Sequence, residues 1–174
     1  MKKQLFFIVI LFITLGLFVA LGLFAQERRP ENGDIGPGGG MVFFYTQSEN
    51  TYTFWECSKD LGKATWGQAK INARNYQGGN LNDWTLVSPL GLKAMYYDLK
   101  LSGIEDFAEN TVYWSDQEAS DIYAEGFDFK KGYEDSYVKT TQLQVRAVRS
   151  FEWVSPAPPQ QENSPSRQES RRNR

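Results

Sequence analysis

The order of the periodic segments predicts an α+β domain. Three observations carry that expectation: β-prone runs come first, two amphipathic helical stretches follow, and the last third returns to short strands without regular βαβ alternation. A chain of 174 residues suits one such domain with compositionally distinct flanks better than it suits two.

The first element is apolar. Met1 to Gln4 is a short basic stretch, and the uncharged run from Leu5 to Ala25 (LFFIVILFITLGLFVALGLFA) follows it. The pattern predicts an export segment, an apolar amino-terminal helix at residues 1–25. It is either a signal peptide cleaved after Ala25 or an uncleaved membrane anchor through residues 5–25. About 20 apolar residues span a bilayer, whereas a cleaved signal uses roughly 7–15. Lys2 and Lys3 favour an inside amino terminus, so both alternatives place the remaining chain outside the cytoplasm, in the cell envelope. Residues 26–32 read as a linker.

The folded part is expected over residues 33–154. Gly33-Asp34-Ile35-Gly36-Pro37-Gly38-Gly39-Gly40 lacks the Gly-Lys-Ser/Thr end and the following helix of a phosphate loop, so it reads as a tight turn where backbones approach closely. Met41 to Thr46 and Tyr52 to Cys57 predict a hairpin. Thr65 is the expected N-cap of a first helix with Trp66, Ala69, Ala73 and Tyr76 on one face, stopped by Gly78-Gly79. Asn82 to Val87 turns into a short extended piece. Ser88 caps a second helix with Pro89 at its first position, and Leu92, Met95, Tyr96 and Leu99 form its apolar stripe before Gly103. Strands are predicted over Val112 to Ser115, Tyr123 to Phe129 and Leu143 to Phe151. In the last, alternation puts Leu143, Val145 and Ala147 on one face, with Arg149 where that face reaches solvent. Residues 155–174 hold four Pro and four Arg and almost nothing apolar, so this tail is expected to be disordered.

Composition removes whole classes of chemistry. The chain has no His, which excludes His-based triads and His-ligated zinc or haem. Its single Cys, Cys57, makes no intrachain disulfide and reads as a buried thiol in an apolar strand. The formal net charge of −2 conceals an acidic middle, where residues 26–154 hold 13 Lys and Arg against 19 Asp and Glu. Nucleic-acid binding needs a clustered basic face, so no nucleic-acid partner is expected. Asp116, Glu118, Asp121, Glu125 and Asp128 show no EF-hand register and read as a solvated loop. Neither a metal nor a cofactor is expected.

Several pieces then stand in register along residues 33–151. They are Gly33 to Phe44, Trp55-Glu56-Cys57-Ser58, Asp60-Leu61-Gly62, Trp66 with Ala69, and Asp83-Trp84-Thr85-Leu86 with Ser88. Leu92 with Met95, Tyr96 and Leu99, then Tyr113-Trp114-Ser115, then Val145 to Phe151 complete the series. The series resembles the Lcl C-terminal domain family, named for the carboxyl-terminal domain of a collagen-like bacterial adhesin and formerly catalogued as of unknown function. The resemblance implies a C-type-lectin-like fold of two helices with short antiparallel strands, related to the sulfatase-activating formylglycine-generating enzymes. It also implies export, and it marks Gly36, Gly39, Trp66, Trp84, Trp114, Arg146 and Arg149 as structural motif positions. The tryptophans are expected in the core and the arginines in pairs with carboxylates near it. The adhesin that names the family binds sulfated polysaccharides through basic surface residues, but this domain is acidic and has no collagen-like repeat. The calcium signatures of sugar-binding C-type lectins, Glu-Pro-Asn or Gln-Pro-Asp with Trp-Asn-Asp, are missing. The paired active-site cysteines of the enzymatic relatives cannot exist with one Cys.

Aromatic rings with polar tips can stack on sugars. Tyr45, Tyr52, Tyr123, Tyr133 and Tyr137 fall in or near expected loops and edges, and Tyr123, Tyr133 and Tyr137 are the candidate ligand-binding residues. No nucleophile–base set is legible. The sequence therefore points to a noncatalytic exported cell-envelope protein whose lectin-like domain binds a glycan or an envelope protein. The alternative is a structural or assembly component acting through protein–protein contacts.

Overall fold

A computed structural model gives the fold, describing residues 28–104, 107–108 and 110–156. The apolar segment at 1–25, the start of the linker and nearly all of the tail at 155–174 lie outside the described residues. Residues Arg29–Val154 form one compact unit.

Strands β1 (Met41–Ser48) and β2 (Thr51–Cys57) make the expected hairpin. The register shifts between Val42 and Phe44, so Phe43 is the extra residue of a bulge. The short strands β3 (Lys63–Ala64) and β4 (Thr85–Leu86) flank helix α1 (Trp66–Asn75). Thr65 stands at the N-cap position of α1, but its side chain makes no capping hydrogen bond. Trp66, Ala69 and Ala73 are buried, and Tyr76 is the C-cap. Helix α2 (Pro89–Ala94) begins as read from the sequence, with the Ser88 hydroxyl accepting the Gly91 N–H at 3.1 Å. It continues as a wider π turn over Met95–Lys100, and Leu92, Met95 and Leu99 of its stripe are fully buried.

The last third contains β5 (Val112–Glu118), β6 (Tyr123–Asp128), β7 (Tyr133–Val138), β8 (Leu143–Gln144) and β9 (Ala147–Val154). One sheet has the order β1-β2-β9-β4 and the other β3-β8-β5-β6-β7. The mixture of sheets and two helices is α+β. Pairing is antiparallel except between β5 and β8, which run parallel through Tyr113 and Gln144, a departure from the all-antiparallel expectation.

The continuous strand expected over Leu143 to Phe151 is broken, because Val145 and Arg146 carry the chain from the second sheet to the first. Their backbone is claimed by the segment between β2 and β3: Val145 N–H donates to Gly62 O and Leu61 N–H to Val145 O. Ala147 N–H then donates to the Ser58 hydroxyl at 2.9 Å. Both faces of the predicted strand are consequently buried, with Val145 and Ala147 in one core cluster and Val148 in another. Arg149 does not reach solvent as alternation predicted; its side chain is 9% exposed. Strand β7 (YEDSYV) escapes a periodicity reading because it is an exposed edge, where Glu134 and Asp135 also discourage further strand pairing.

One core cluster gathers Phe43, Leu92, Met95, Leu99, Tyr113, Phe127 and Phe129. The other gathers Trp66, Trp84 and Trp114 with small residues of α1 and β9. Each of these indole N–H groups donates to a main-chain carbonyl in another segment: Trp66 to Ser115 and Trp114 to Ala64, both at 2.8 Å, and Trp84 to Gly78 at 3.1 Å. Burying an indole without such a partner would cost free energy, so these bonds fix which segments meet.

The Gly-rich segment threads between Trp84, Glu56 and the turn at Gly78-Gly79. A Cβ on Gly38 would lie 2.5 Å from Trp84 Cζ2 and 2.8 Å from Glu56 Oε1, and one on Gly36 would lie 2.5 Å from Glu56 Oε2. Gly39 has φ +73, the left-handed region that favours glycine. Gly38→Ala is expected to lower stability by about 1–3 kcal/mol through overpacking. Gly67→Ala, in α1 with nothing within 4 Å of the added carbon, is expected to raise it by about 0.5–1 kcal/mol. Urea unfolding of the two variants beside the parent checks both signs.

Candidate functional site

Two arginine–carboxylate clamps organise the polar interior. Register places Glu56 of β2 opposite Arg149 of β9. Arg149 Nη1 donates to Glu56 Oε1 at 2.5 Å and Arg149 Nε to Asp83 Oδ1 at 2.8 Å. Glu56 is fully buried and also accepts the N–H groups of Gly38 and Gly40, each at 2.9 Å. A buried charge is tolerated when a partner charge and hydrogen bonds occupy it in this way. The hydrogen bond from Arg149 holds the Asp83 carboxyl below the usual carboxylate range, against the opposing effect of burial.

The second clamp centres on Asp60. It accepts from Arg146 Nε at 2.6 Å, Gln144 Nε2 at 2.8 Å and the Tyr113 hydroxyl at 3.0 Å. The Arg146 guanidinium lies 4.0 Å from the Phe107 ring centroid, and the residue is 2% exposed. Burial, with the Asp60 charge adding to it, pushes the Tyr113 phenol well above its ordinary value. Cys57 is buried, with Arg146 Nη1 3.8 Å from its sulfur. Arg146 and Arg149 therefore act inside the fold, joining β9 and its approach to β2 and the segments that follow it.

The candidate ligand site is a cleft of about 300 Å³ between the first sheet and α2. Phe44 and Trp55, paired across β1 and β2, line it with ring centroids 5.4 Å apart and planes tilted by 45°. Val87 and Val148 contribute apolar surface, Leu90 and Ala94 enter from α2, and Thr85, Ser88 and Asp116 supply polar groups. Asp116 is the one ionisable side chain among the described residues lining the cleft. Its backbone N–H is fixed to Val87 O at 2.8 Å. Burial raises its carboxyl above the ordinary value, partly offset by a backbone hydrogen bond. An aromatic wall with a few polar groups suits the apolar face of a sugar ring or one large side chain. The volume is at the low end for ligand pockets, which run about 300–1,000 Å³.

The sequence candidates Tyr123, Tyr133 and Tyr137 lie elsewhere and do not converge. Tyr123 pairs with Val138 and Tyr133 with Asp128, at opposite ends of the β6–β7 ladder. Strand alternation puts Tyr133 and Tyr137 on one face and Tyr123 on the other. Tyr137 packs against Trp114, with centroids 6.2 Å apart, and burial raises its phenol. The acidic stretch is dispersed as well: Glu118 pairs with Lys139, while Asp128 accepts the N–H groups of Lys130 and Lys131. Among the described residues no group of three or more His, Cys, Asp and Glu could hold a metal ion.

Phe44 and Trp55 were not singled out as ligand residues by the sequence. The bulge at Phe43 is the reason, since it lets two adjacent phenylalanines line the same cleft where strict alternation would separate them.

Fold and cleft together define a class: an α+β domain with Arg146 and Arg149 paired to carboxylates and a small aromatic-walled recess. No protein-family model matches this chain, and no curated protein matches it.

Glu56→Ala removes one partner of a buried pair, leaving Arg149 Nη1 and two glycine N–H groups without their acceptor while Arg149 Nε keeps Asp83. The expected loss is about 3–5 kcal/mol in chemical denaturation. Asp83 tests the pH dependence. Its folded pKa is depressed, so its contribution is fully present above the unfolded value and is lost as pH falls through the lower folded one. Asp83→Asn should therefore lose less stability than the parent between about pH 4 and pH 2, measured by thermal melts across that range.

Proposed function

We propose that this chain is a noncatalytic exported cell-envelope protein whose C-type-lectin-like domain binds a glycan or protein ligand in the cleft beside α2. The observation that carries the reading is the Phe44–Trp55 wall facing a recess with Thr85, Ser88 and Asp116. A ring or side chain with one apolar face and polar edges matches both parts. The lining offers a single carboxylate, Asp116, beside the hydroxyls of Thr85 and Ser88, groups that can hydrogen-bond a ligand's polar edge. The α+β architecture is of the kind implied by the resemblance to the Lcl C-terminal domain family. The motif residues Gly36, Trp84 and Arg149 also pack around one buried carboxylate, as a scaffold motif would. Export and envelope localisation rest on the Leu5–Ala25 run.

The second reading is a structural or assembly component working through protein–protein contacts. Leu90, 67% exposed at the cleft, favours it, because an exposed leucine beside an apolar recess suits a protein surface.

The purified chain applied to a glycan array and a heparin column separates the two. The glycan reading expects retention on at least one, with Trp55→Ala weakening binding about tenfold, or 1.4 kcal/mol, at unchanged near-ultraviolet circular dichroism. Retention on neither, with a specific envelope protein captured by cross-linking in cells through the Leu90 surface, assigns the second reading. Absence of both binding and capture overturns the proposal.

A further inference from the structure

The face of the first sheet opposite the cleft carries a separate aromatic cluster. Register sets Tyr45 opposite Phe54, Phe54 opposite Phe151 and Tyr52 opposite Trp153. The rings form a continuous chain: Tyr45 to Tyr52 at 6.1 Å, Tyr52 to Trp153 at 5.5 Å and Phe54 to Phe151 at 5.6 Å between centroids. Phe54 is fully buried beneath its neighbours, whereas Tyr45 is 40% exposed. The Arg29 guanidinium lies over two of the rings, 5.0 Å from Tyr45 and 5.3 Å from Tyr52.

The chain enters and leaves the domain at this same end. Arg29 lies on the cluster, and Val154, the last residue of β9, is paired with Thr51 at the start of β2 beside the hairpin turn. The apolar run of the sequence ends at Ala25, four residues before Arg29. Four residues reach at most about 14 Å when fully extended. A headgroup layer is several Å thick on each side of the hydrocarbon, so a retained anchor holds Arg29 and its rings within reach of that layer.

We infer that the aromatic end of the first sheet, Tyr45, Tyr52 and Trp153 with Arg29, is a lipid-headgroup surface on which the exported domain rests at the outer face of the membrane. The inference rests on the reading of Leu5–Ala25 as an uncleaved anchor. Tyr and Trp rings combine apolar bodies with hydrogen-bonding tips and concentrate at membrane–water interfaces, and an arginine beside them donates to phosphate oxygens. A cluster stabilised by its own ring contacts presents that surface without further ordering.

The test reconstitutes the full chain in phosphatidylethanolamine/phosphatidylglycerol vesicles containing a nitroxide-headgroup lipid, and reads tryptophan quenching before and after an alkaline carbonate wash. The expected result is a chain that stays with the vesicles and is quenched. The quenching is lost in Trp153→Phe and is weaker with a nitroxide placed deep in the acyl chain. The depth comparison is made on the parent chain, so it stands even where Trp153→Phe misfolds. Retention without quenching overturns the headgroup surface and leaves the anchor standing. Release by carbonate overturns the anchor and the surface with it. Quenching that appears only after deletion of residues 155–174 overturns the inference by assigning the rings to the arginine-rich tail.

Discussion

The buried carboxylate of Glu56 is the constraint around which much of the domain is arranged. Fully removed from water, it needs a cation and several hydrogen bonds, and it takes them from two segments far apart in sequence. The Gly38 and Gly40 amides come from the opening turn and the guanidinium from Arg149 on the final strand. Arg149 in turn holds Asp83 just before β4. The opening turn of the domain, its final strand and the segment before β4 are thereby tied to one point. The glycines follow from this geometry, since backbone amides reach the carboxylate only where no side chain intervenes. Trp84 closes the other side of the same turn and is held by its own bond to Gly78.

The cleft is a consequence of that arrangement. Clamping Asp83 fixes the approach to β4, and β4 pairs with β9 through Thr85 and Leu86. Those residues, with Val87 and Ser88 immediately after them, line the recess together with Phe44 and Trp55. The break between β8 and β9 has a similar role in the second clamp. It lets Arg146 turn inward to Asp60 while Val145 and Ala147 stay in the tryptophan core.

Internal pairing also takes up part of the domain's positive charge. Arg146 and Arg149 are committed to carboxylates inside the fold, and Lys131 and Lys139 are engaged by Asp128 and Glu118. These pairings sit in a domain that carries more acid than base. One aromatic set walls a recess on one face of the first sheet, and the other covers the opposite face near the points where the chain enters and leaves.

Sequence alone determined the α+β order, the hairpin, and both helices with the Ser88-Pro89 start. These are local matters, set by hydrophobic period, capping chemistry and turn residues within a few positions of each other. Tertiary structure decided the rest. Leu143 to Phe151 alternates like one strand, but it is divided because Ser58, Leu61 and Gly62, far away in sequence, take up the hydrogen bonds of its centre. Arg149 is inside because the carboxylates that receive it come from β2 and the loop before β4. Phe44 and Trp55 outrank Tyr123, Tyr133 and Tyr137 as candidate ligand residues because a one-residue bulge and the placement of α2 create the recess. Periodicity records which residues seek burial, whereas partner choice for a buried charge and the shape of a cleft depend on segments that meet only when the chain folds.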